Sequence, residues 1–178
     1  MLINSEISIL NIGIGNPVSV LNMLKNIGLS SRLISSAEEI RTAQRLIIPG
    51  VGHFGKAIDL LKKLNLIGGI KEHAHKDKPI LGICLGMQLL CNGSEEGGAE
   101  GLGLIDADVV KFKNLNNDLK IPNMGWREVN IYDHKLKEGY EDIPRFYFTH
   151  SYYAICNKLE NQFITADYGI TYAAGIAK

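Results

Sequence analysis

A cysteine flanked by glycines is the residue of this sequence best placed to do covalent chemistry. Cys84 lies between Gly82 and Gly86, where a short apolar run ends and a helical pattern begins. A small residue two positions before and after a nucleophile is typical of a nucleophile elbow, in which a tight turn projects the side chain outward. The helix that follows favours a thiolate, and the N–H of Leu85 would face the oxygen of an attacked carbonyl group. The alternative is a buried cysteine whose glycine neighbours serve packing alone.

The other two cysteines, Cys91 and Cys156, have no comparable setting, and we interpret them as core residues. Three cysteines without a C-x-x-C pair indicate neither a disulfide framework nor a zinc site. His73 and His75 are two apart in a helical pattern, a spacing that does not bring two side chains to one metal. We therefore expect no metal and no cofactor.

Composition restricts the classes of protein that the sequence can encode. The 178 residues are 46% hydrophobic and 21% charged, with 19 basic and 19 acidic side chains. These values are typical of one globular domain, and the balanced charge favours neither nucleic acid nor a membrane surface as a partner. The longest nearly apolar run, residues 80–91, is shorter than the roughly 20 residues of a membrane span, and no secretory signal begins the chain. We expect a cytoplasmic protein.

Alternating strand and helix patterns position Cys84 in the first half of the chain and indicate an α/β domain with a largely parallel sheet. Strands are predicted over residues 7–12, 32–34, 45–48 and 80–83, the last of them buried. Asn16 and Pro17 are expected to begin a helix that ends at Gly28. Further helices are expected with Ala57, Leu61 and Leu64 facing inward, and through His73.

The second half has closely spaced strand patterns and few helical ones, which favours antiparallel pairing at one side of the sheet. Strands are predicted over residues 109–112, 126–131, 146–149, 152–156, 163–166 and 172–176. Between the first two of these strands, residues 114–118 contain three Asn and one Asp, and we expect them to form the most mobile loop.

Five segments occur in the order and spacing of a known protein family. They are Pro49-Gly50-Val51-Gly52, Gly82-Ile83-Cys84-Leu85-Gly86-Met87-Gln88, Gly101-Leu102-Gly103-Leu104, Pro122-Asn123-Met124-Gly125-Trp126 and His150-Ser151-Tyr152. With these segments the chain resembles the class I (triad) glutamine amidotransferases. With Gly13-x-Gly15-Asn16 added, it more narrowly resembles the glutaminase subunits of imidazole glycerol phosphate synthases. The resemblance covers nearly the whole chain and implies one domain, residues 1–178, with a three-layer α/β/α open sheet of the flavodoxin-like type.

The resemblance implies hydrolysis of glutamine to glutamate and ammonia through a thioester on Cys84. It places the oxyanion near the backbone N–H groups of Leu85 and of Val51 or Gly52. It assigns glutamine binding to Gly50, Gly52, Gln88, Glu96, His150, Ser151 and Tyr152. The acidic Glu96 suits the ammonium group of glutamine, although a solvated loop is the alternative explanation of Glu95-Glu96.

One departure from the family is the missing base. Its thiol is activated by a His-x-Glu motif on a strand that would follow residues 172–178, and no His-x-Glu occurs in these 178 residues. Relative to the family, the domain is C-terminally incomplete. Either the polypeptide continues beyond Lys178, which the intact preceding strand favours, or the protein binds glutamine without turning it over.

The histidines that are present have other interpretations. His150 matches a substrate contact of the family, with a catalytic role as the less favoured alternative. His53 follows the glycine loop and is expected to cap a helix or line the mouth of the pocket. His73, His75 and His134 lie among charged residues and are expected to be solvated.

An ammonia donor requires a second protein, so the resemblance implies a heterodimer with a synthase (cyclase) subunit. The candidate contacts are Gly15, Asn16, Pro17, Met124 and Trp126, and Trp126 is equally explained as a half-buried core residue. The flexible peptide at residues 50–52 could be reoriented by the partner to complete the oxyanion hole. Two pathways could use the ammonia: histidine biosynthesis and the amidination of surface-polysaccharide sugars. The helix sequence at residues 18–25 is the reason to consider the second.

Overall fold

Two β-sheets with helices packed against them form the part of the chain that the structure, a computed structural model, describes: residues 6–113, 119–132, 138 and 143–178. The helices are α1 (Pro17–Asn26), α2 (Ala37–Thr42), α3 (Phe54–Lys63), α4 (Ile67–His75) and α5 (Leu85–Leu89). The strands are β1 (Ile7–Leu10), β2 (Ser31–Ile34), β3 (Arg45–Gly50), β4 (Ile80–Cys84), β5 (Gly93–Ser94), β6 (Ala99–Glu100), β7 (Ala107–Lys111), β8 (Asn123–Ile131), β9 (Arg145–His150), β10 (Tyr152–Cys156), β11 (Gln162–Asp167) and β12 (Thr171–Ile176).

The first sheet is parallel, in the order β2-β1-β3-β4. Its inner strands β1 and β3 consist mostly of buried aliphatic residues, as expected for strands covered on both faces. The carboxyl ends of β3 and β4 lie side by side, with Gly50 paired to Cys84. The sheet therefore brings the glycine loop and the cysteine turn to one edge.

Side-chain caps fix where the first helices begin. The Asn16 side chain accepts a hydrogen bond from the N–H of Ser19 (3.1 Å), and Pro17 occupies the first turn of α1, as predicted. Helix α2, which the sequence analysis did not include, begins with a capping box between Ser36 and Glu39. The predicted cap at His53 is also present, since its Nδ1 accepts from the N–H of Lys56 at 3.5 Å.

The second sheet holds eight strands in the order β6-β5-β7-β10-β12-β11-β8-β9. Its pairs are antiparallel except β5 with β7, and every antiparallel strand predicted from sequence is present, most of them one to three residues longer. The α/β class is confirmed. The antiparallel strands, predicted at one side of the parallel sheet, are organised as a sheet of their own.

One buried cluster joins the two sheets. It contains Leu10, Ile48 and Leu85 from the parallel sheet and its turn, together with Ala154 and Ala173 from the antiparallel sheet. Burying apolar surface on both sheets at once stabilises their contact at about 25 cal/mol per Å². Cys91 is fully buried in this cluster and Cys156 packs against it, so the prediction that both are core residues is confirmed.

Three local predictions are wrong. Leu64 is 42% exposed, because α3 ends at Lys63 and Asn65 turns the chain at positive φ. His73 is fully buried, since its ring bridges the carbonyl oxygens of Ile40 (3.1 Å) and Pro79 (3.3 Å). Strand β4 is not buried, because among the described residues it pairs only with β3 and forms an edge of the parallel sheet. Among these same described residues, no helix is long and apolar enough to cross a membrane. The predicted loop 114–118 and His134 lie outside them.

Candidate active site

Cys84 lies at the turn between β4 and α5 and has the backbone of a nucleophile elbow. Its φ of 55° and ψ of −115° are unusual for a residue with a Cβ, so the surrounding fold must hold this conformation in place. The residue is accessible to solvent. The strand-to-helix turn predicted from the glycine spacing is therefore present, with the side chain directed outward.

The flanking glycines allow the close approach of backbones that the elbow needs. A Cβ on Gly86 would overlap the carbonyl oxygen of Ile48 in β3, and a Cβ on Gly82 would lie 2.5 Å from the backbone N of Met87. Real Cβ atoms do not approach backbone atoms so closely. Gly86 therefore sets the distance between α5 and β3, and Gly82 sets the distance between β4 and α5.

The environment of the Cys84 sulfur raises the pKa of its thiol. Desolvation by surrounding protein is the larger cause, and a hydrogen bond from the backbone N–H of Leu85 acts in the opposite direction. Partial solvent access and desolvation coexist because protein encloses the sulfur on most sides. The N–H of Leu85, the first residue of α5, favours the thiolate as expected, but burial outweighs it and the pKa of Cys84 is raised.

This desolvation leads to a prediction about alkylation. The rate at which iodoacetamide modifies native Cys84 should rise with pH and reach half its maximum at a higher pH than for the same cysteine in the unfolded chain, because only the thiolate reacts. Mass spectrometry of the Cys84 peptide across a pH series measures this. Cys91, which is fully buried, is the internal control and should stay unmodified while the chain is folded. A native midpoint below the unfolded one would contradict the raised pKa.

The glycine loop after β3 lies directly beside Cys84. Gly50 is buried and paired with Cys84, and a Cβ on it would lie 2.7 Å from the N of Gly86. Val51 is 69% exposed, and Gly52 has a φ of 124° that disfavours any residue with a Cβ. The predicted oxyanion residues Val51 and Gly52 thus come directly after Gly50, the residue paired with the candidate nucleophile Cys84.

The loop before α1 also contacts this glycine. Gly15, at a φ of 79°, leaves so little room that a Cβ on it would lie 3.1 Å from the Cα of Gly50. Gly15 and Asn16 are exposed, whereas Pro17 is buried in the first turn of α1. The predicted contacts at Gly15 and Asn16 are accessible to a partner. Pro17 packs inward, so within the described residues it presents little surface to a partner, and its contact stays a prediction.

Glu96 lies between β5 and β6, and its side chain contacts the first residue of α3, close to the glycine loop. Its Oε2 accepts a hydrogen bond from the backbone N–H of Phe54 at 2.7 Å, and its own N–H donates to Ser94 Oγ at 3.0 Å. Phe54 is two residues after Gly52, so the carboxylate stands beside the loop that pairs with Cys84. The residue is half-buried and fixed, which differs from the solvated loop considered as an alternative.

Gln88 and the His150–Tyr152 segment are brought together by hydrogen bonds to one carbonyl oxygen. Tyr152 O accepts from Gln88 Nε2 at 3.4 Å and from His150 Nδ1 at 2.8 Å. The carbonyl of Ser151 accepts from the N–H of Phe112 at 3.0 Å, which ties the segment to β7. Gln88 is one helical turn after Cys84, so the predicted binding residues Gln88, His150, Ser151 and Tyr152 form one group.

Both ring nitrogens of His150 have partners. Nδ1 lies against Tyr152 O, and Nε2 is 3.1 Å from the side-chain Nδ2 of Asn123. Burial lowers the pKa of the imidazole, and the bond to Tyr152 only partly offsets this effect. His150 would have to break one of these bonds to serve as the base for Cys84, which disfavours that alternative.

An open groove of about 1110 Å³ runs from Cys84 along the outer edge of β4. Leu81 (51% exposed) and Ile83 (39%) face it, and Ile164 and Ile176 of the antiparallel sheet line its other side. Strand β4 was predicted to be buried. It is an edge strand here because, among the described residues, only β3 pairs with it.

A second exposed apolar surface lies on β8 and β9. Met124 is 57% exposed, Trp126 60% and Tyr147 54%, and the rings of the last two meet edge to face at 5.8 Å. Trp126 is therefore more exposed than the half-buried core residue that the sequence left as an alternative. The predicted contacts Met124 and Trp126 are accessible.

Three residues to which the sequence assigned no role are linked to His150 by hydrogen bonds. Asn123 and Arg127 of β8 and Tyr172 of β12 form a hydrogen-bonded group with His150. The alternation of β8 is the signal that could have indicated the first two, since residues facing inward on a strand are two apart.

A solvent-accessible cysteine on a strained strand-to-helix turn, paired with a glycine loop at the end of a parallel sheet, defines a thiol enzyme of the α/β type. Similarity to known protein families specifies the class of enzyme. The family model for class I glutamine amidotransferases matches residues 8–174. The chain belongs to the class I glutamine amidotransferases.

Two relatives among those that match point to one kind of subunit. The chain is 43% identical over 174 residues to imidazole glycerol phosphate synthase subunit HisH 2 of Methanococcus maripaludis, covering 97% of this chain and 86% of that protein. It is 40% identical, with the same coverage, to the subunit of that name from Pseudomonas aeruginosa. The resemblance stated from the sequence is confirmed.

Solved structures agree on the fold. A crystal structure of a glutamine amidotransferase superimposes with a TM-score of 0.64 at 14% identity, covering 90% of this chain and 84% of that chain. The structure of PurLQS from Thermotoga maritima superimposes with a TM-score of 0.69 at 16% identity, covering 97% and 80%. At these identities the likeness concerns the fold alone.

Proposed function

We propose that this chain is the glutaminase subunit of an imidazole glycerol phosphate synthase, hydrolysing glutamine and passing ammonia to a cyclase subunit in histidine biosynthesis. The observation that carries the proposal is the pairing of Cys84 with Gly50, which puts a nucleophile and a glycine loop within one site. The names and identities of the two archaeal and bacterial relatives support this assignment. The cytoplasm is the proposed location.

The proposed reaction proceeds through a thioester. The Cys84 thiolate attacks the side-chain carbon of glutamine, and the carbonyl electron pair moves to oxygen. Backbone N–H groups of Leu85 and of Val51 or Gly52 stabilise that oxyanion, each at about 2.7–4 kcal/mol. The carbon–nitrogen bond then breaks, and the nitrogen leaves as ammonia after gaining a proton. Water adds to the thioester, the carbon–sulfur bond breaks, and glutamate and the thiol are released.

Binding of the amino-acid end of glutamine is assigned to polar groups around this turn. Glu96 has one oxygen engaged by Phe54, and its other oxygen, Oε1, has no hydrogen-bond partner within the described residues. An ammonium group fits that oxygen by charge. We assign the remaining polar contacts to Gly50, Gly52, Gln88, His150, Ser151 and Tyr152.

Proton transfer requires a base in addition to these residues. The family resemblance assigns it to a His-x-Glu pair that would follow Lys178, and we propose that the polypeptide continues to include it. An intact mass heavier than 178 residues by roughly 2–3 kDa supports this proposal. A mass equal to that of 178 residues supports the alternative, a subunit that binds glutamine without turnover.

Genetic complementation tests the destination of the ammonia. Expressed with its cyclase partner, the gene should restore growth without histidine to a strain that lacks the glutaminase subunit, at limiting ammonium. Failure to restore growth, together with glutaminase activity in the purified protein, would favour the alternative of a surface-polysaccharide sugar amidotransferase. Absence of both would contradict the glutaminase proposal itself.

The partner is proposed to dock on the surface formed by Met124, Trp126 and Tyr147. Gly15 and Asn16 of the loop before α1 are further proposed contacts. Replacing Trp126 with Ala should raise the Kd for the cyclase about 30-fold, the equivalent of a loss of about 2 kcal/mol for an aromatic anchor. Isothermal titration calorimetry measures the Kd. Leu159→Ala is the matched control, since Leu159 is 83% exposed outside this surface and its loss should leave the Kd unchanged.

A further inference from the structure

A chain of hydrogen bonds runs beneath the glutamine-binding group, from β8 to the helix that follows Cys84. Arg127 Nε donates to Asn123 Oδ1 at 3.1 Å, and Asn123 Nδ2 lies 3.1 Å from both His150 Nε2 and the Tyr172 hydroxyl. His150 Nδ1 and Gln88 Nε2 then share the carbonyl oxygen of Tyr152. Five side chains and one carbonyl group thus connect β8, the strand that carries Met124 and Trp126, with α5.

Only one arrangement of hydrogens satisfies a neutral His150 in this chain. A carbonyl oxygen only accepts, so the His150 nitrogen facing Tyr152 carries the proton, and Nε2 must accept. One N–H of the Asn123 amide donates a hydrogen bond to His150 Nε2, and the other donates to the Tyr172 hydroxyl. Its oxygen is oriented by Arg127, whose guanidinium also stacks 4.7 Å above the ring of Tyr168. Exchanging the oxygen and the nitrogen of the Asn123 amide would therefore break these hydrogen bonds.

The surroundings make this arrangement costly to change. Asn123 is fully buried, Tyr172 is 3% exposed, and the rings of Phe112, Phe148 and Tyr172 surround the imidazole at centroid distances of 5.3 to 5.5 Å. A polar group that loses its partner at such a site keeps its desolvation cost. The network therefore acts as one unit rather than as separable bonds.

We infer that Asn123 is a positioning residue of the glutamine site: it holds His150 in the Nδ1–H form and thereby fixes the Tyr152 carbonyl and the Gln88 amide. The inference rests on the proposed glutaminase function. Because Met124 and Trp126 face outward from the same strand, β8 carries the proposed partner surface on one face and this network on the other.

The test replaces Asn123 with Asp, which keeps the shape but turns the amide donor into an acceptor. The carboxylate would face Nε2 and stabilise a proton there. His150 should therefore become doubly protonated and remain so to a pH at least one unit higher than in the wild-type chain. Long-range ¹H–¹⁵N NMR of the imidazole reads the tautomer and this titration directly. In the wild-type chain, the same spectra should show the Nδ1–H tautomer.

Glutamine binding provides the second readout. Asn123→Asp should raise the Kd for glutamine at least 10-fold by calorimetry and, in the complex with the cyclase, raise KM more than it lowers kcat. Asn130→Asp is the matched control, with the same change at an exposed position of β8 that should alter neither readout.

The outcomes separate the inference from the proposed function. A wild-type Nε2–H tautomer, or an Asn123→Asp chain with unchanged His150 spectra, would overturn the network. Altered spectra with unchanged glutamine affinity would overturn the positioning role. A wild-type protein that neither binds nor hydrolyses glutamine would refute the proposed function, while the NMR result would still stand on its own.

Discussion

Replacing Cys84 with Ala is expected to abolish glutamine-dependent synthesis by the assembled complex, lowering kcat by more than roughly 10⁴-fold. The thioester cannot form without the sulfur. Alanine retains the Cβ, so we expect the strained backbone at φ 55° to be unchanged. The loss of activity then reports the loss of the sulfur alone. Synthesis from free ammonia should be unaffected, because that reaction takes place on the partner.

Two measurements make this result specific. Cys156→Ala, at a cysteine that packs against the core in β10, should keep glutamine-dependent activity within about twofold, since surface and peripheral changes have small effects. Retained glutamine-dependent synthesis in Cys84→Ala would exclude a thioester mechanism. Loss of the ammonia-dependent reaction as well would argue against the role of ammonia donor.

Replacing Gly86 with Ala is expected to destabilise the fold by about 3 kcal/mol or more, because the added methyl group would overlap the carbonyl oxygen of Ile48. The position of the methyl carbon is fixed by the backbone of α5, and the oxygen belongs to the backbone of β3, so the overlap is relieved only by shifting α5 against β3. For a domain of this size the midpoint of thermal unfolding should fall by roughly 6–12 °C. Differential scanning calorimetry, or urea unfolding followed by circular dichroism, measures the loss.

Gly68→Ala is the matched control for this substitution. Gly68 is an exposed residue of α4, and a Cβ on it would meet nothing within 4 Å. Alanine there should stabilise the protein by about 0.5–1 kcal/mol, since glycine costs backbone entropy inside a helix. Equal effects of the two substitutions would show that the close packing of the elbow is not what requires glycine at position 86.

The raised pKa of the Cys84 thiol bears on how the enzyme is activated. A desolvated thiol is mostly protonated at neutral pH, so the chain by itself holds the nucleophile in its unreactive form. An added positive charge beside the sulfur would lower the pKa of Cys84 again, and an added base would accept the thiol proton. This is consistent with a subunit whose activity depends on groups that reach the site from outside the described residues.

The amino-acid sequence by itself indicated the class, which the family match confirms, the candidate nucleophile Cys84 and the order of the elements around it. Glycines two residues before and after Cys84 indicate the elbow because only residues without a Cβ allow α5 and β3 to approach so closely. The strand at residues 152–156 and the helix start at Asn16-Pro17 were likewise predictable, since local alternation and capping chemistry decide them.

Only the tertiary structure decided how distant segments meet. That His73 is buried, that β4 is exposed, and that burial raises the pKa of Cys84 all depend on which surfaces pack together, and no local pattern records that. The same holds for the network below the site. Asn123, His150 and Gln88 are far apart in the chain, and their hydrogen bonds exist because antiparallel pairing of β8 with β9 brings the first two opposite each other.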